Sequence, residues 1–195
     1  HPDHTSGAFA LSRRTGAQIV APVGDTRGHR DNQVSLSYMG VFASAGLPVP
    51  FLRRTPVNRL VADGEELPLL GGIRVIHTPG HTPGSLCYLL KSRSLLFSGD
   101  TVFSDGARVS RSVPFPGYNG RDYRRSLARL AAMEFDTLCG GHGAPLVGGA
   151  SDRLRELLNA KPEPPSWGEL IRSIPGRMYR GRNNGGPISI FVADR

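Results

Sequence analysis

Cysteine, tryptophan and long apolar runs are scarce in this chain of 195 residues. The two cysteines, Cys87 and Cys139, stand in neither a Cys-x-x-Cys pair nor any other metal-binding spacing, so we expect small buried apolar residues in a reducing compartment. No apolar run approaches the roughly 20 residues that a membrane-spanning helix needs. We therefore expect a cytoplasmic protein that does not cross a membrane.

Lysine is also scarce, because Lys91 and Lys161 are the only two among the 24 basic residues. The arginines give a formal charge of +8 and a pI near 10.3, which raises the question of an acidic partner. They are scattered along the chain, without a dense run and without alternating aromatic residues. This pattern favours a solvated basic surface over a nucleic-acid partner.

The length and the 38% hydrophobic content fit one globular domain, or one domain with an appendage. The stretch KPEPPS has the composition of a linker. We therefore predict a domain over residues 1–160 and a C-terminal extension over residues 161–195. Within the extension, WGELIRSI suggests a helix and PISIFVA suggests a strand.

Helical and strand patterns alternate along the rest of the chain, which predicts an α/β fold. Capped or amphipathic helices are predicted at SGAFALSRRTG, Asp31–Gly46, GRDYRRSLARLAAMEF and SDRLRELLNA. Strands are predicted at AQIVAP, NRLVADGEELPLL, GIRVIHTP, SLCYLLK, SLLFSGD and DTLCGG. The stretch from Ser104 to Gly120 shows neither the helical nor the strand period of apolar residues, so it is predicted to be a long loop. Long loops are often functional.

Histidine and aspartate side chains recur where apolar segments end. Taken singly, each has an ordinary explanation, such as a helix cap at Asp3 or a hydrogen-bonded structural histidine. Together they follow strand ends within glycine-rich turns, where side chains project into a shared cleft. Imidazole and carboxylate are ligands of zinc, manganese and iron. The candidate ligands are His1, Asp3, His4, His81, Asp100 and His142.

The segments HPDH, TPGHTPGS, LLFSGDT and GGHG occur in the order and approximate spacing of the metallo-β-lactamase superfamily, which the chain resembles over about residues 1–160. The resemblance implies a four-layer αββα sandwich that binds two divalent metal ions. Zinc is the first expectation for these ions, and manganese or iron is the second. It implies that His1 and His81 serve the first metal and that Asp100 bridges both. Asp3, His4 and His142 would serve the second metal.

The chain also departs from the family's first motif, H-x-H-x-D-H, whose first histidine would fall two positions before His1. The strands that precede this motif in the family are likewise missing from the sequence. We therefore expect that the N-terminal part of the first sheet is missing and that an apolar sheet face is exposed. We also expect poor activity from the chain as it stands.

The resemblance implies hydrolysis, in which two cations lower the pKa of a bridging water from about 15.7 toward about 7. The hydroxide would attack a small-molecule thioester, ester or lactone, as in glyoxalase II-like enzymes, and Asp3 would orient it as the catalytic residue. The aspartate at position 100 argues against β-lactam hydrolysis, because zinc β-lactamases generally lack it.

The segment GDTVFSDGARVSRSVPFPGYNG lacks the glycine/cysteine/arginine signature of thioester hydrolases and persulfide dioxygenases. It offers Arg108, Arg111 and Tyr118 as anchors for an anionic or acyl substrate, or else as solvent-facing loop residues. Two alternatives therefore stay open, a mononuclear iron persulfide dioxygenase and a nucleic-acid-binding or phosphodiesterase relative. The oligomeric state is not predicted.

Overall fold

A computed structural model of the chain describes residue 4 and residues 7–25, 57–114 and 117–160. The helix predicted at Asp31–Gly46 and the helix and strand predicted after residue 160 lie outside these residues. The predicted boundary between residues 160 and 161 therefore stays a prediction. Among the described residues, no helix combines the length and apolar character that crossing a membrane requires.

Strands and helices alternate through the described residues, as the sequence predicts. The helices are α1 (Ala8–Thr15), α2 (Gly120–Ala131) and α3 (Ala150–Asn159), with a 3₁₀ turn at Lys91–Arg93. The first five strands are β1 (Val20–Pro22), β2 (Arg59–Val61), β3 (Glu66–Leu67), β4 (Ile73–His77) and β5 (Leu86–Leu90). The remaining strands are β6 (Leu95–Gly99), β7 (Val102–Ser104), β8 (Val109–Arg111), β9 (Thr137–Gly140) and β10 (Leu146–Val147).

The main sheet has six strands in the order β10-β9-β6-β5-β4-β3. Strands β6 and β9 pair in parallel, whereas β4, β5 and β6 pair antiparallel in sequence. It follows that β4, β6 and β9 all run in the same direction, so their carboxyl ends meet at one edge of the sheet. This edge is where the chain carries His81, Asp100 and His142.

One face of the main sheet is covered by α2 and α3. Asn119 begins α2, because its side chain accepts hydrogen bonds from the backbone N–H groups of Arg121 and Asp122. The buried side of the helix places Tyr123, Leu127 and Leu130 among core residues of the sheet, each at most 1% exposed. Burying side chains of this size contributes about 1.5–3 kcal/mol each.

Both cysteines lie in the interior, which confirms the prediction that they are small buried residues. Cys87 is fully buried and Cys139 is 8% exposed. Burial raises the pKa of the Cys87 thiol to about 11, despite hydrogen bonds from Thr78 and Thr101 that lower it. The thiol is therefore neutral at physiological pH.

The other side of the fold contains a second apolar cluster, made of Val61, Leu67, Ile73, Val75 and Leu90. Each of these residues is at most 6% exposed. The predicted exposure of an apolar sheet face is therefore wrong for this cluster. Leu86, Tyr88 and Leu95 pack against it and are only partly buried.

Two segments differ from their predicted local structure. NRLVADGEELPLL forms two short strands in place of one, because Gly64 adopts a φ of +78° and turns the chain between β2 and β3. The predicted loop after Ser104 contains β8, which pairs antiparallel with β7. Asp105 stabilises the turn of this hairpin by accepting hydrogen bonds from the backbone N–H groups of Ala107 and Arg108.

Candidate metal centre

Asp100 lies at the centre of a group of histidines at the carboxyl edge of the sheet. Its Oδ2 is 3.1 Å from Nε2 of His4 and 3.5 Å from Nε2 of His81. Its Oδ1 is 3.5 Å from Nε2 of His142. The structure thus brings together four of the six predicted ligands, three histidines around one carboxylate, although they are up to 138 positions apart in the sequence (142 minus 4).

Three of these residues offer donor atoms at a spacing that suits a metal ion. One ligand atom each from His4, Asp100 and His142 lies within 4.8 Å of the other two. Two imidazole nitrogens and a carboxylate oxygen form a donor set suited to zinc, iron or manganese. The chemistry of these donors therefore fits the divalent cation that the sequence predicts.

The backbone beside the carboxylate is kept free of side chains. Strands β6 and β9 run in parallel up to the pair Gly99 and Gly140, and the N–H of Gly141 then donates to the carbonyl of Gly99 at 2.7 Å. A Cβ on Gly141 would overlap Oδ1 of Asp100 and would lie 2.7 Å from Cε1 of His4. Glycine is therefore required here for space, so that the backbone can approach the donor atoms closely.

The turn that carries His81 is fixed against the amino end of α2. The N–H of Asn119 donates to the carbonyl of Gly80 at 2.8 Å, and the hydroxyl of Ser126 donates to the carbonyl of Pro79 at 2.8 Å. Gly80 has a φ of +134°, and a Cβ there would overlap the backbone of Tyr123. The glycine thus meets two requirements at once, an unusual backbone conformation and a close approach to the helix.

Asp25 holds the other side of the same turn. Its carboxylate accepts hydrogen bonds from the hydroxyl of Thr82 at 2.6 Å and from the N–H of Gly84 at 2.8 Å. His81 itself is 2% exposed, and its Nδ1 shares a short hydrogen bond with the hydroxyl of Ser112. Asp25 thus fixes the residues that follow His81, and Ser112 fixes the ring itself.

The carboxyl of Asp100 is ionised in this setting. Burial by itself would raise its pKa, but hydrogen bonds from His4 and His81 and the charges of these rings outweigh burial and hold the pKa well below its ordinary range. The aspartate therefore presents a full negative charge toward the neighbouring imidazoles.

His1 and Asp3, the other two predicted ligands, lie outside the described residues, so their roles stay predictions. Among the predicted substrate anchors, Arg108 is exposed in the β7–β8 turn. The guanidinium of Arg111 donates to the carbonyls of Leu157 and Ala160 at the end of α3. Tyr118 stacks on the ring of Tyr123, with centroids 5.2 Å apart.

Sequence reasoning missed three residues that shape this centre: Asp25, Ser112 and Gly141. The doubled glycine of GGHG is a visible signal for Gly141, because a close backbone approach selects glycine. Nothing in the local sequence marks Asp25 or Ser112. Their partners lie 57 and 31 positions away, so only the folded chain brings them together.

The chain is similar to several known proteins. A family model described as the metallo-beta-lactamase superfamily matches residues 1–142. A hydroxyacylglutathione hydrolase from Rhizobium etli is 30% identical over 139 residues, which are 70% of this chain and 42% of the relative. A hydroxyacylglutathione hydrolase from Rhodospirillum rubrum is 33% identical over 143 residues, which are 72% of this chain and 44% of the relative. The chain thus spans less than half the length of these relatives.

Solved structures show the same fold. A metallo-beta-lactamase family protein from Thermus thermophilus is 28% identical with a TM-score of 0.58, covering 81% of this chain and 56% of that one. An archaeal metallo-beta-lactamase superfamily protein from Sulfolobus tokodaii is 19% identical with a TM-score of 0.56, covering 85% of this chain and 70% of that one. The predicted α/β fold class is confirmed.

Proposed function

The chain belongs to the metallo-beta-lactamase superfamily, and on that premise we propose that it is a metal-dependent hydrolase acting on a small-molecule thioester, ester or lactone. The observation that carries the proposal is the convergence of His4, His81 and His142 on the carboxylate of Asp100. The imidazole and carboxylate donors of such a group suit a divalent cation, and they lie at the sheet edge where sites of α/β folds are built.

We assign ligands by combining the geometry with the family motif. Asp100 would serve both cations, His81 would hold the first, and His4 and His142 would hold the second. His1 would complete the first ligand set, and Asp3 the second. When bound, divalent cations supply Lewis acidity and lower the pKa of a coordinated water toward about 7.

The chain's own side chains prepare this chemistry in two ways. The ionised carboxylate of Asp100 needs no proton loss before it binds a cation, so its full charge is available at neutral pH. The ring of His142 packs edge-on against His4 and Phe103, with centroid distances of 5.0 Å and 5.7 Å. These contacts restrict the imidazole orientations. Asp3 remains our proposal for the residue that orients the attacking water.

The names of the relatives and the charge of the chain support this substrate class. The two curated relatives are named as acting on hydroxyacylglutathione, an acyl thioester of a negatively charged peptide. The net charge of +8 suits an anionic substrate. We propose that Arg108, Arg111 and Tyr118 contact this substrate. Burial raises the pKa of the Tyr118 hydroxyl, and the positive charges of Arg124 and Arg111 act against this effect.

The test is metal analysis combined with a substrate panel on the full chain. We expect two equivalents of zinc or manganese, and turnover of an acyl-glutathione thioester above that of a lactone and of a phosphodiester. Binding of a single iron, together with oxygen consumption on a persulfide, would contradict the proposal in favour of the dioxygenase. Phosphodiester turnover that falls steeply with salt would contradict it in favour of a nucleic-acid enzyme.

A further inference from the structure

Ser112 follows β8 directly and lies 5% exposed behind the His81 imidazole. Its hydroxyl oxygen forms a short hydrogen bond with Nδ1 of His81, the ring nitrogen on the side away from Asp100. Ser112 is not placed to bind a cation itself, because it contacts Nδ1 of His81, whereas Nε2 of this ring faces the Asp100 carboxylate. Ser112 therefore acts on the imidazole and not on the metal.

The position of Ser112 is itself fixed by a buried tyrosine. The backbone N–H of Ser112 donates to the hydroxyl of Tyr123 at 2.7 Å, and this hydroxyl donates to the carbonyl of Thr101 at 2.8 Å. Tyr123 is 1% exposed and belongs to α2, while Thr101 directly follows Asp100. The chain of hydrogen bonds thus ties the hairpin, the helix and the Asp100 turn to one another.

The direction of the hydrogen bond decides which ring nitrogen of His81 can bind a cation. Without a cation, Nε2–H of His81 donates to Asp100. An imidazole that binds a cation through the lone pair of Nε2 carries its proton on Nδ1. Ser112 Oγ then accepts from Nδ1–H, and its own hydrogen points to the carbonyl of Val113 at 3.5 Å. Every donor in this arrangement has an acceptor, so the contact and the ligand role of His81 are mutually consistent.

We propose that Ser112 is a positioning residue that holds His81 in the Nδ1-protonated form and aims its Nε2 at the shared carboxylate. The inference rests on the proposed metal centre. It goes beyond that centre by assigning a role to the segment after β8, where the chain lacks the glycine/cysteine/arginine signature. Partners of this kind typically change metal affinity by about 10–100-fold when they are removed.

The first test measures zinc affinity by competition with a chromophoric chelator, using the full chain. We expect Ser112→Ala to weaken the binding of zinc by about tenfold or more, and Ser112→Thr, which keeps the hydroxyl, to restore affinity to within about threefold of the parent. Ser151→Ala is the matched control, because Ser151 is an equally buried serine at the start of α3 that donates to Glu134 and not to a candidate ligand. It should leave zinc affinity unchanged.

A second readout separates positioning from stability and does not depend on turnover. In zinc-loaded protein with ¹⁵N-labelled histidine, we expect a slowly exchanging Nδ1–H signal from His81 that Ser112→Ala abolishes and Ser112→Thr retains. Parent-like affinity and an unchanged ring signal in Ser112→Ala would overturn the inference. So would an equal loss of affinity in Ser151→Ala.

Failure of the proposed function would look different. If the parent chain binds no zinc, the metal centre is wrong. The contact between Ser112 and His81 is then judged from the ring-nitrogen shifts of His81 in the metal-free protein. Ser112→Ala must change these shifts and Ser151→Ala must not, since otherwise the inference also fails.

Discussion

The His81 turn and the Asp100–His142 edge present their ligands to the same point by different means. Polar side chains hold the His81 turn, since Ser112 contacts the ring and Asp25 binds the residues that follow it. Backbone pairing holds the other edge, where β6 and β9 run in parallel and Gly141 hydrogen-bonds Gly99. One region depends on the side chains that are present, and the other depends on the absence of a side chain.

This difference predicts two kinds of tolerance. A hydrogen-bonded turn accepts conservative replacements, because a threonine hydroxyl can stand where a serine hydroxyl stood. A glycine with no room for a Cβ accepts nothing larger, because the nearest atoms are the Asp100 carboxylate, a ring carbon of His4 and the Gly99 backbone. Substitutions in the two regions should therefore differ in how far they can be rescued.

The largest effect is expected where the two regions meet, at the shared carboxylate. Asp100→Asn keeps the shape of the side chain and removes its charge. Since the loss of an outer hydrogen-bond partner costs about 10–100-fold in metal affinity, we expect removal of a charged ligand to cost more than about 100-fold. Zinc should then no longer raise the thermal unfolding midpoint, which scanning calorimetry would measure.

Asp105→Asn is the matched control for this variant. Asp105 lies in the turn of the neighbouring hairpin, where its oxygen accepts hydrogen bonds from two backbone N–H groups, and an asparagine oxygen can accept both. Its zinc affinity should equal that of the parent. Parent-like zinc stabilisation in Asp100→Asn would remove the carboxylate from the metal centre.

The second effect tests the edge that depends on glycine. Gly141→Ala places a methyl group against Oδ1 of Asp100 and beside the His4 ring, so we expect a loss of zinc affinity of about tenfold or more, at a strain of about 1–3 kcal/mol. Isothermal titration of zinc into the metal-free protein would measure it. A zinc affinity equal to that of the parent would show that this edge tolerates substitution as readily as the His81 turn does.

Gly120→Ala serves as the comparison for Gly141. It lies in the first turn of α2, and a Cβ there would meet its nearest atom at 3.4 Å, an ordinary contact. Alanine in a helix also lowers the entropy of the unfolded chain, so stability should stay equal or rise by up to about 1 kcal/mol. Zinc affinity should not change.

The third effect tests the side-chain network from its buried end. Tyr123→Phe removes the hydroxyl that accepts from the N–H of Ser112 and donates to the carbonyl of Thr101. Two buried backbone groups would lose their partner, so we expect the free energy of unfolding to fall by about 2 kcal/mol. Urea denaturation of the metal-free protein would measure the change.

Tyr118→Phe provides the reference, because its ring also belongs to this aromatic pair but is less buried. It should change the free energy of unfolding by less than about 0.5 kcal/mol. If Tyr123→Phe loses no more stability than Tyr118→Phe, the hydroxyl bridge of Tyr123 does not hold Ser112 in place.

The sequence could predict the candidate ligands that local patterns mark, but not the long-range pairing that brings them together. The candidate ligands His81, Asp100 and His142 were predictable, because each stands in a glycine-rich turn after an apolar segment, and strand ends project side chains from a sheet. His4 was predictable from the HPDH segment alone. That three of these strand ends share one edge was not a property of the local pattern. It follows from the parallel pairing of β6 with β9, which joins segments about 40 residues apart.

Two kinds of structure escaped prediction for physical reasons. The strand β8 has three residues and no apolar alternation, and it exists because it pairs with β7 across an Asp-Gly turn. The roles of Asp25 and Ser112 depend on contacts with the distant His81 turn. Propensity and periodicity describe neighbours along the chain, so they carry no signal for such contacts.

The smallest effect concerns Arg111, whose position just before Ser112 raises the question of whether this hairpin serves the substrate or the fold. Its guanidinium donates to the carbonyls of Leu157 and Ala160, where the C-terminal end of α3 has unpaired acceptors. We expect Arg111→Ala to lower the free energy of unfolding by about 1 kcal/mol. Arg108→Ala, in the exposed turn of the same hairpin, should leave stability unchanged.

Steady-state kinetics on the thioester then separates the two roles of Arg111. A rise in KM in Arg111→Ala at unchanged stability would assign this arginine to the substrate and contradict its role at α3.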